Sequence, residues 1–514
     1  MKIFSKTKFK LPKEVKKVGE TLIKNGYQAY LVGGCVRDMA TGVSPKDWDI
    51  ATNAKPEKIQ NFFEDSVYEN NFGTVGVKTN SEDLTLKIIE VTTFRVEGIY
   101  SDKRRPDEVK FVKTIEEDLG RRDFTINAFA IDLTNNKQQT THDRKEKIKV
   151  VSSELSVVGQ IIDPFGGEDD LNKKMIRAVG VPEDRFEEDA LRLLRAVRFS
   201  AQLGFSIEKK TGEAIEKKAK LLKHIAQERI RDEFQKLILT ERAADGVFAL
   251  ESFGLLPFII PELQEGVGCK QNKHHVYEVF EHNVRALEYA AKKNYSLEVR
   301  LASLLHDFGK PRTKRGRGEN STFHGHEVIG ARMAREVLAR LAFPKGVIEK
   351  VCHLIRYHMF YYNVGEVSES GVRRFLARVG TEHIDDILKV READRIGSRV
   401  PKAFPYKLRH LLFMIEKVKH DPLHPKMLKL RGDDLMKLLH IDPGPKVGMI
   451  LSILLEDVLD DSKRNTHEYL IKRAKELGEL TEKELKTLAK KAQEKKDEAE
   501  SGIEEEMKKK YYVK

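Results

Sequence analysis

The sequence predicts an α+β protein, with a small mixed sheet near the N-terminus and an all-helical remainder. Three observations carry this. Alternating β-branched residues are confined to stretches before about Asp132, such as GTVGVKT (Gly73 to Thr79) and LTLKIIEVTTFR (Leu84 to Arg95). From about Met175 apolar residues instead recur at helical spacing, as in EEDALRLLRAVRFSAQLGF and ERIRDEFQKLIL. At 514 residues the chain is long enough for several separate cores.

Taken in order, Pro12 to Asn25 reads as an amphipathic helix and Gln28 to Val32 as a short strand. Gly33 and Gly34 follow, with a helix expected from Val36. Pro257 to Gly268 reads as a joint, and His274 to about Pro401 as a histidine-rich helical block. A further helical segment holds LRGDDLMKLL and DPGPKVGMIL. From about Thr481 the chain is a Lys/Glu run, read as a solvated helix or a disordered end, with RNA contact as the alternative. The expected domains are 1–135, 136–262, 263–402, 403–480 and a charged extension 481–514, with no internal repeat.

Lys and Arg number 93 against 81 Asp and Glu, a net charge of +12. Such an excess suits a polyanionic partner or simply a solvated lysine-rich surface. Cys35, Cys269 and Cys352 are too few and scattered for a disulfide framework or a thiolate zinc site, which points to a reducing compartment. No apolar run approaches the roughly 18 residues of a membrane span, and no apolar signal core stands near the N-terminus. The expected location is the cytoplasm, with no membrane partner.

The chemistry concentrates in LVGGCVRDMATGVSPKDWDIAT, Leu31 to Thr52. Glycines between a strand and a helix start let backbone N–H groups approach phosphates, and Arg37 could clamp the same phosphates. Asp47 and Asp49 are two apart, a spacing that on a strand puts both carboxylates on one face. Such a pair can hold two Mg²⁺ ions, one lowering the pKa of an attacking hydroxyl and the other gripping a triphosphate leaving group. A bare Asp-x-Asp is more often a surface pair at a strand end; the preceding glycines and Arg37 favour nucleotidyl transfer.

This constellation resembles the head domain of the class II tRNA nucleotidyltransferase and poly(A) polymerase family, in the polymerase β-like nucleotidyltransferase superfamily. The resemblance implies an N-terminal nucleotidyltransferase head, an all-helical neck, an HD domain and a body/tail. It makes Asp47 and Asp49 the metal ligands and catalytic residues, with Gly34 and Arg37 at the incoming nucleotide; Glu90, in IEVTTFR, is a candidate third carboxylate. GRRDFTINAFAID, Gly120 to Asp132, looks like the family's motif joining head to neck; by that match Arg122 contacts the nucleotide, and Asp123 and Asn127 read its ribose. EEDALRLLRAVRF, Glu187 to Phe199, resembles the Glu-Asp-x-x-Arg motif with Glu188, Asp189 and Arg192; Arg195 and Arg198 continue at steps of three toward the nucleotide. ERIRDEF, Glu228 to Phe234, matches a further neck motif with a structural role.

Base chemistry supports Asp189 and Arg192 independently. Cytosine and adenine each present an amino donor beside a ring-nitrogen acceptor, which a carboxylate next to a guanidinium satisfies. Uracil and guanine would set donor against donor, at about 1 to 3 kcal/mol per unsatisfied buried group. An intrahelical salt bridge is the plain alternative for residues three apart on one helical face.

Within the family, YENNFGTVGVKT with Gly73, Thr74 and Val75 resembles CCA-type enzymes more than poly(A) polymerases. EGIYSDKRRPDEVKF, Glu97 to Phe111, matches the flexible loop that CC-only enzymes lack. LRGDDLMKLLHIDPGPKVGMIL, with Asn465 further on, looks like a tRNA-gripping body and tail. The resemblance therefore implies addition of CCA to the tRNA 3′ end from CTP and ATP; poly(A), CC-only or A-only addition are the neighbouring alternatives.

LLHDFGKPRTK places His306 beside Asp307, with His282 in EHNVRAL upstream and Asp394 in READRIG downstream. Convergent histidines and carboxylates suit Mn²⁺, Ni²⁺ or Fe²⁺ and water activation for phosphoester hydrolysis. The order resembles the HD phosphohydrolase superfamily, where such a domain is hydrolytic or merely structural. His324, His326, His353 and His358 are candidate extra ligands of a dinuclear site. A rival reading is thus an HD phosphohydrolase with an RNA-binding head.

Overall fold

The computed structural model describes residues 9–70, 73–97, 109–134, 156–157, 161–272, 276–360, 362, 367–399, 406–418 and 425–490. It divides into two compact units, Met1–Gln264 with Arg340–Phe343, and Glu265–Ala339 with Pro344–Lys514.

In the first unit, α1 (Lys13–Lys24) buries Val15, Val18, Gly19 and Leu22, the 3-4 spacing of one apolar stripe. Seven strands follow in one sheet: β1 (Ala29–Val32), β2 (Asp49–Thr52), β3 (Ser66–Asn70), β4 (Thr74–Lys78), β5 (Ile88–Thr93), β6 (Ala130–Asp132) and β7 (Ile161–Ile162). Their order is β7-β6-β1-β2-β5-β4-β3. Only β2 and β5 pair in parallel, with Asp49 opposite Glu90. β1 is buried throughout, as an inner strand covered on both faces should be. The edge strand β7 comes from beyond residue 135, so chain well past the Gly120–Asp132 motif completes the sheet.

The helix after the glycine pair, α2 (Gly34–Ala40), starts two residues earlier than the expected Val36. Helices α3 (Pro182–Glu188), α4 (Leu191–Leu203) and α5 (Gln227–Ile238) carry the Glu187–Phe199 and Glu228–Phe234 segments. Strand structure does not end at Met175 as expected, since Met175–Ile176 pairs in parallel with Ser206–Ile207. Two residues are too short to leave a periodic signal.

The second unit is helical. Around its histidines stand α6 (Val279–Lys292), α7 (Leu297–Leu305), α8 (His326–Arg340), α9 (Lys345–Tyr357) and α10 (Ile384–Gly397). Toward the C-terminus, α11 (Gly432–Leu439), α12 (Pro445–Asp460) and α13 (His467–Gly478) enclose a core of Leu435, Ile450, Leu454 and Leu470. Leu485 is buried in that core. Leu488 and Ala489 pack against the same core, so the first turns of the charged extension fold onto it; 491–514 lie outside the described residues. No described helix is long and apolar enough to cross a membrane.

Candidate active site

Gly33 caps α2 with φ 77° and ψ −138°, a region only glycine enters readily. A Cβ there would lie 2.7 Å from Arg122 Nη1 and 3.5 Å from Asp49 Oδ2. The turn thus touches both a motif carboxylate and a motif guanidinium. Asp49 opens β2 and is half-buried, while exposed Asp47 lies in the bend before it, so the two do not share a strand face as the spacing suggested. The intervening Trp48 is buried and anchors the bend. Burial raises the Asp49 carboxyl pKa, Arg122 opposes the rise, and Asp47 adds to it. Glu90, exposed and in register with Asp49, shares its face of the sheet.

Beside this turn an ion network links α2 to α4. Arg37 Nη1 donates to Asn127 Oδ1 at 2.6 Å, Asn127 Nδ2 donates to Asp123 Oδ1 at 3.1 Å, and Arg195 Nε donates to Asp123 Oδ2 at 2.8 Å. Burial alone would raise the Asp123 pKa, but Arg195, Asn127 and Arg192 hold it at about 2. Arg198 donates to Glu233 Oε2 at 2.6 Å. The guanidinium centres of Arg37, Arg195 and Arg198 lie 5.4, 5.3 and 3.8 Å from the Phe199 ring centre. Asp123 and Asn127, expected at a ribose, tie this cluster together. Phe199 is the aromatic residue the sequence reading passed over, in plain view within the signature.

Asp189 and Arg192 do not share a helix. The chain breaks at Asp189, where α3 ends with extended backbone, and the Asp189 carboxylate caps the next helix by accepting from Leu191 N at 3.0 Å. The same carboxylate takes two donors from Arg229, at 2.8 and 3.3 Å. Arg192 pairs with Glu188 at 2.7 Å and donates to the Arg121 carbonyl at 3.0 Å. Arg229, in ERIRDEF, is a partner that sequence spacing could not reveal, since it lies forty residues away.

In the second unit, His282, His306, Asp307 and Asp394 converge in a buried cluster. The Nε2 atoms of His282 and His306 stand 2.9 Å apart, and both face Asp307 Oδ2, at 3.1 and 3.3 Å. Asp394 Oδ1 lies 3.4 Å from His282 Nε2. Burial alone would lower the His306 pKa, but Asp307 and Asp394 raise it to about 10.

The other Asp307 oxygen faces His326 and His358, at 3.1 and 3.7 Å from their Nε2 atoms. Each of these rings approaches a carbonyl through Nδ1, of Phe323 at 2.8 Å and Ile355 at 2.7 Å. A carbonyl only accepts, so the hydrogen sits on Nδ1 and the Nε2 lone pairs point at a carboxylate. Both Nε2 atoms are buried without a hydrogen bond. Such an arrangement fits a cation between the groups. Of the other candidates, His324 is exposed and His353 bonds the Val379 carbonyl, so neither joins. Lys310, which the sequence reading missed, reaches Asp307 at 2.5 Å. Gly309 lets the motif turn touch α8, since a Cβ there would fall 2.5 Å from the His326 carbonyl oxygen.

With this geometry in place, the chain's likeness to known proteins can be stated. Residues 29–177 match the poly(A) polymerase head domain, 204–266 the probable RNA and SrmB-binding site of polymerase A, and 279–396 the HD domain. The A-adding tRNA nucleotidyltransferase of Deinococcus radiodurans is 33% identical over 83% of this chain and 91% of its own length. The CCA-adding enzyme of Enterococcus faecalis is 32% identical over 92% of this chain and 97% of its own length. The chain belongs to the tRNA nucleotidyltransferase family. Among solved structures, the CCA-adding enzyme of Bacillus stearothermophilus in complex with CTP superposes with a TM-score of 0.65 at 27% identity, covering 90% of this chain and 96% of that one.

As a tRNA nucleotidyltransferase with an HD domain, the chain has the expected fold: a head with a mixed sheet, then helices. Two signals that were to separate family members are only partly visible. In the expected loop, Arg95–Glu97 pairs with Val109–Phe111, and 98–108 lie outside the described residues. In the C-terminal region, Asn465 accepts from Lys429 N and donates to the Met427 carbonyl, holding the entry to α11.

Proposed function

We propose that this nucleotidyltransferase adds C and A residues, from CTP and ATP, to the 3′ end of tRNA without a nucleic-acid template, completing CCA. The observation that carries the reading is the turn at Gly33, whose missing side chain leaves room for Arg122 and Asp49 to meet at a helix start. The tRNA 3′ hydroxyl attacks the α-phosphate, a new P–O bond forms, the bond to pyrophosphate breaks and the hydroxyl proton departs.

Asp47, Asp49 and Glu90 would hold Mg²⁺; the raised Asp49 pKa, driven by burial and by Asp47, marks a carboxylate set whose repulsion a divalent cation relieves. When bound, the ions supply hydroxyl activation and charge neutralisation on the triphosphate. Arg37, Arg122, Arg195 and Arg198 would receive phosphate oxygens, and the Gly33–Gly34 backbone would approach them at the α2 start. Asp189 would accept from the amino group of C or A while Arg192 donates to the ring nitrogen. Arg229 pairs with Asp189 and Glu188 with Arg192, which positions those two groups before a base arrives.

The test offers purified protein, Mg²⁺ and tRNA transcripts ending before CCA, after C and after CC, with labelled CTP, ATP or both. Growth of all three to one CCA end is expected. Growth only from CC would instead make it an A-adding enzyme, the activity named for the Deinococcus relative; arrest at CC a CC-adding one; long A tails on unrelated RNA a poly(A) polymerase. No incorporation would remove the reading.

The two lone-pair imidazoles support a second activity in the HD domain, metal-dependent phosphoester hydrolysis. His282, His306, Asp307 and Asp394 would hold one Mn²⁺, Ni²⁺ or Fe²⁺ ion, with Asp307 shared to a second ion on His326 and His358. Hydrolysis of a phosphodiester that persists in Asp47→Ala protein and vanishes on chelation is the expected outcome.

A further inference from the structure

A groove of about 420 Å³ lies between α8 and α9. Arg332 and Arg335 enter it from α8; Glu349, His353, Arg356 and Tyr357 enter it from α9. Arg332 and Arg335 are exposed, and three residues rise roughly 4.5 Å along a helix, so they stand side by side on one face. Among the described residues neither forms an ion pair. Arg335 lies close enough to the buried Cys352 to oppose the rise that burial gives its thiol pKa, which places that guanidinium over the groove floor.

Two of the acids nearby are already engaged, while exposed Glu336 on α8 forms no ion pair among the described residues. Glu327 pairs with Arg356 at 3.4 Å and Glu349 with Lys345 at 3.7 Å. His353 packs at a tilt against both Tyr357 and His383, with ring centres 4.7 and 4.3 Å away, and its Nε2 lies 2.7 Å from the Val379 carbonyl oxygen. A rigid aromatic ledge therefore runs beside two uncompensated guanidiniums. Planar guanidinium forks match phosphate oxygens, and the half-buried ring of Tyr357 beside them leaves an edge for a sugar or an unstacked base. The groove is open along the helices rather than closed around a small molecule, which favours a chain of phosphates.

We propose that this groove binds the phosphodiester backbone of the RNA substrate, with Arg332 and Arg335 on successive phosphates and Tyr357 at the flanking nucleotide. The site rests on the reading of the chain as acting on RNA. Its contacts position the RNA and read no sequence.

The test uses full-length protein and a labelled tRNA transcript ending before CCA, with affinity measured at several salt concentrations for wild type, the double variant Arg332→Ala/Arg335→Ala and the charge-keeping double variant Arg332→Lys/Arg335→Lys. For the alanine pair, tRNA affinity should fall about tenfold or more at low salt, and the slope of log K against log salt should shrink by about 1 per arginine. Turnover at saturating tRNA should stay near wild type, and the lysine pair should recover most of the slope. Unchanged affinity and slope in the alanine pair, with wild type binding RNA normally, would overturn the groove alone. If inorganic phosphate stabilises wild type saturably, the alanine pair loses that effect and tRNA affinity does not move, the groove is a small-anion site and the proposal fails. Wild-type protein that incorporates no nucleotide on any transcript would overturn the parent reading, and failure to bind RNA at all would overturn both.

Discussion

In the head, Asp47 stands exposed in a bend and Asp49 half-buried at a strand start, whereas in the second unit His282, His306, Asp307 and His358 are sealed from solvent. The head keeps its carboxylates near water and surrounds them with arginines already paired to other side chains. The HD cluster packs four ligand atoms together, with the ammonium of Lys310 beside Asp307. An open acidic centre suits reactants that must enter and leave at every cycle. A sealed one suits an ion that stays.

That contrast can be broken by substitutions at each centre. The largest expected effect is on Asp49→Asn, which should lower nucleotide incorporation by about 10³-fold or more while leaving metal content in the HD cluster and folding intact. Parallel loss of HD-bound metal would show that the two centres are not independent. His326→Gln/His358→Gln should reduce tightly bound Mn²⁺ or Ni²⁺ from two ions per chain to one, read by elemental analysis, with incorporation unaffected. Retention of two ions would mean that Asp307 does not bridge them.

Smaller effects sharpen the description of the head. Arg229→Ala should relax the preference for C and A over U and G by roughly tenfold, since about 1 to 3 kcal/mol separates satisfied from unsatisfied groups; unchanged selectivity would make Arg229 a purely structural brace. Gly33→Ala should cost about 1 to 3 kcal/mol of stability in denaturant unfolding, together with reduced activity, because the backbone region and Arg122 both exclude a Cβ.

The pH prediction follows from Asp123. Its folded pKa of about 2 lies below the unfolded value, so its contribution is present above about pH 4 and lost as pH falls through 2. That contribution is on the order of 2 kcal/mol. Asp123→Asn should flatten the stability profile between pH 4 and 2 relative to wild type; an identical profile would mean that Arg195 and Asn127 do not hold the carboxyl down.

Motifs whose parts are close in sequence were legible before the structure. The glycine pair, Arg37, Asp47 and Asp49 lie in one short segment; Arg122 and the HD residues His282, His306, Asp307 and Asp394 lie far apart in the chain and were named only through family motifs. Asp189 and Arg192 illustrate the limit. Their spacing of three implied one helical face, but Asp189 leaves the helix because its carboxylate caps the next one, a preference that competes locally with helix continuation. Arg229 and Lys310 were missed for a different reason: a charged residue on a helix announces its charge, not its partner.

By itself the sequence determined the split between an N-terminal mixed sheet and a helical remainder, the candidate residues of both centres and the positive charge that suits RNA. Hydrophobic period and short-range backbone preference are local properties, and they survive in one dimension. Only the tertiary structure decided that Asp123 and Asn127 tie an arginine cluster around Phe199, that Asp307 divides its two oxygens between two pairs of histidines, and that His324 and His353 stand apart from them. Those outcomes depend on where a few ångströms of packing leave each lone pair, and such distances are set by the whole fold.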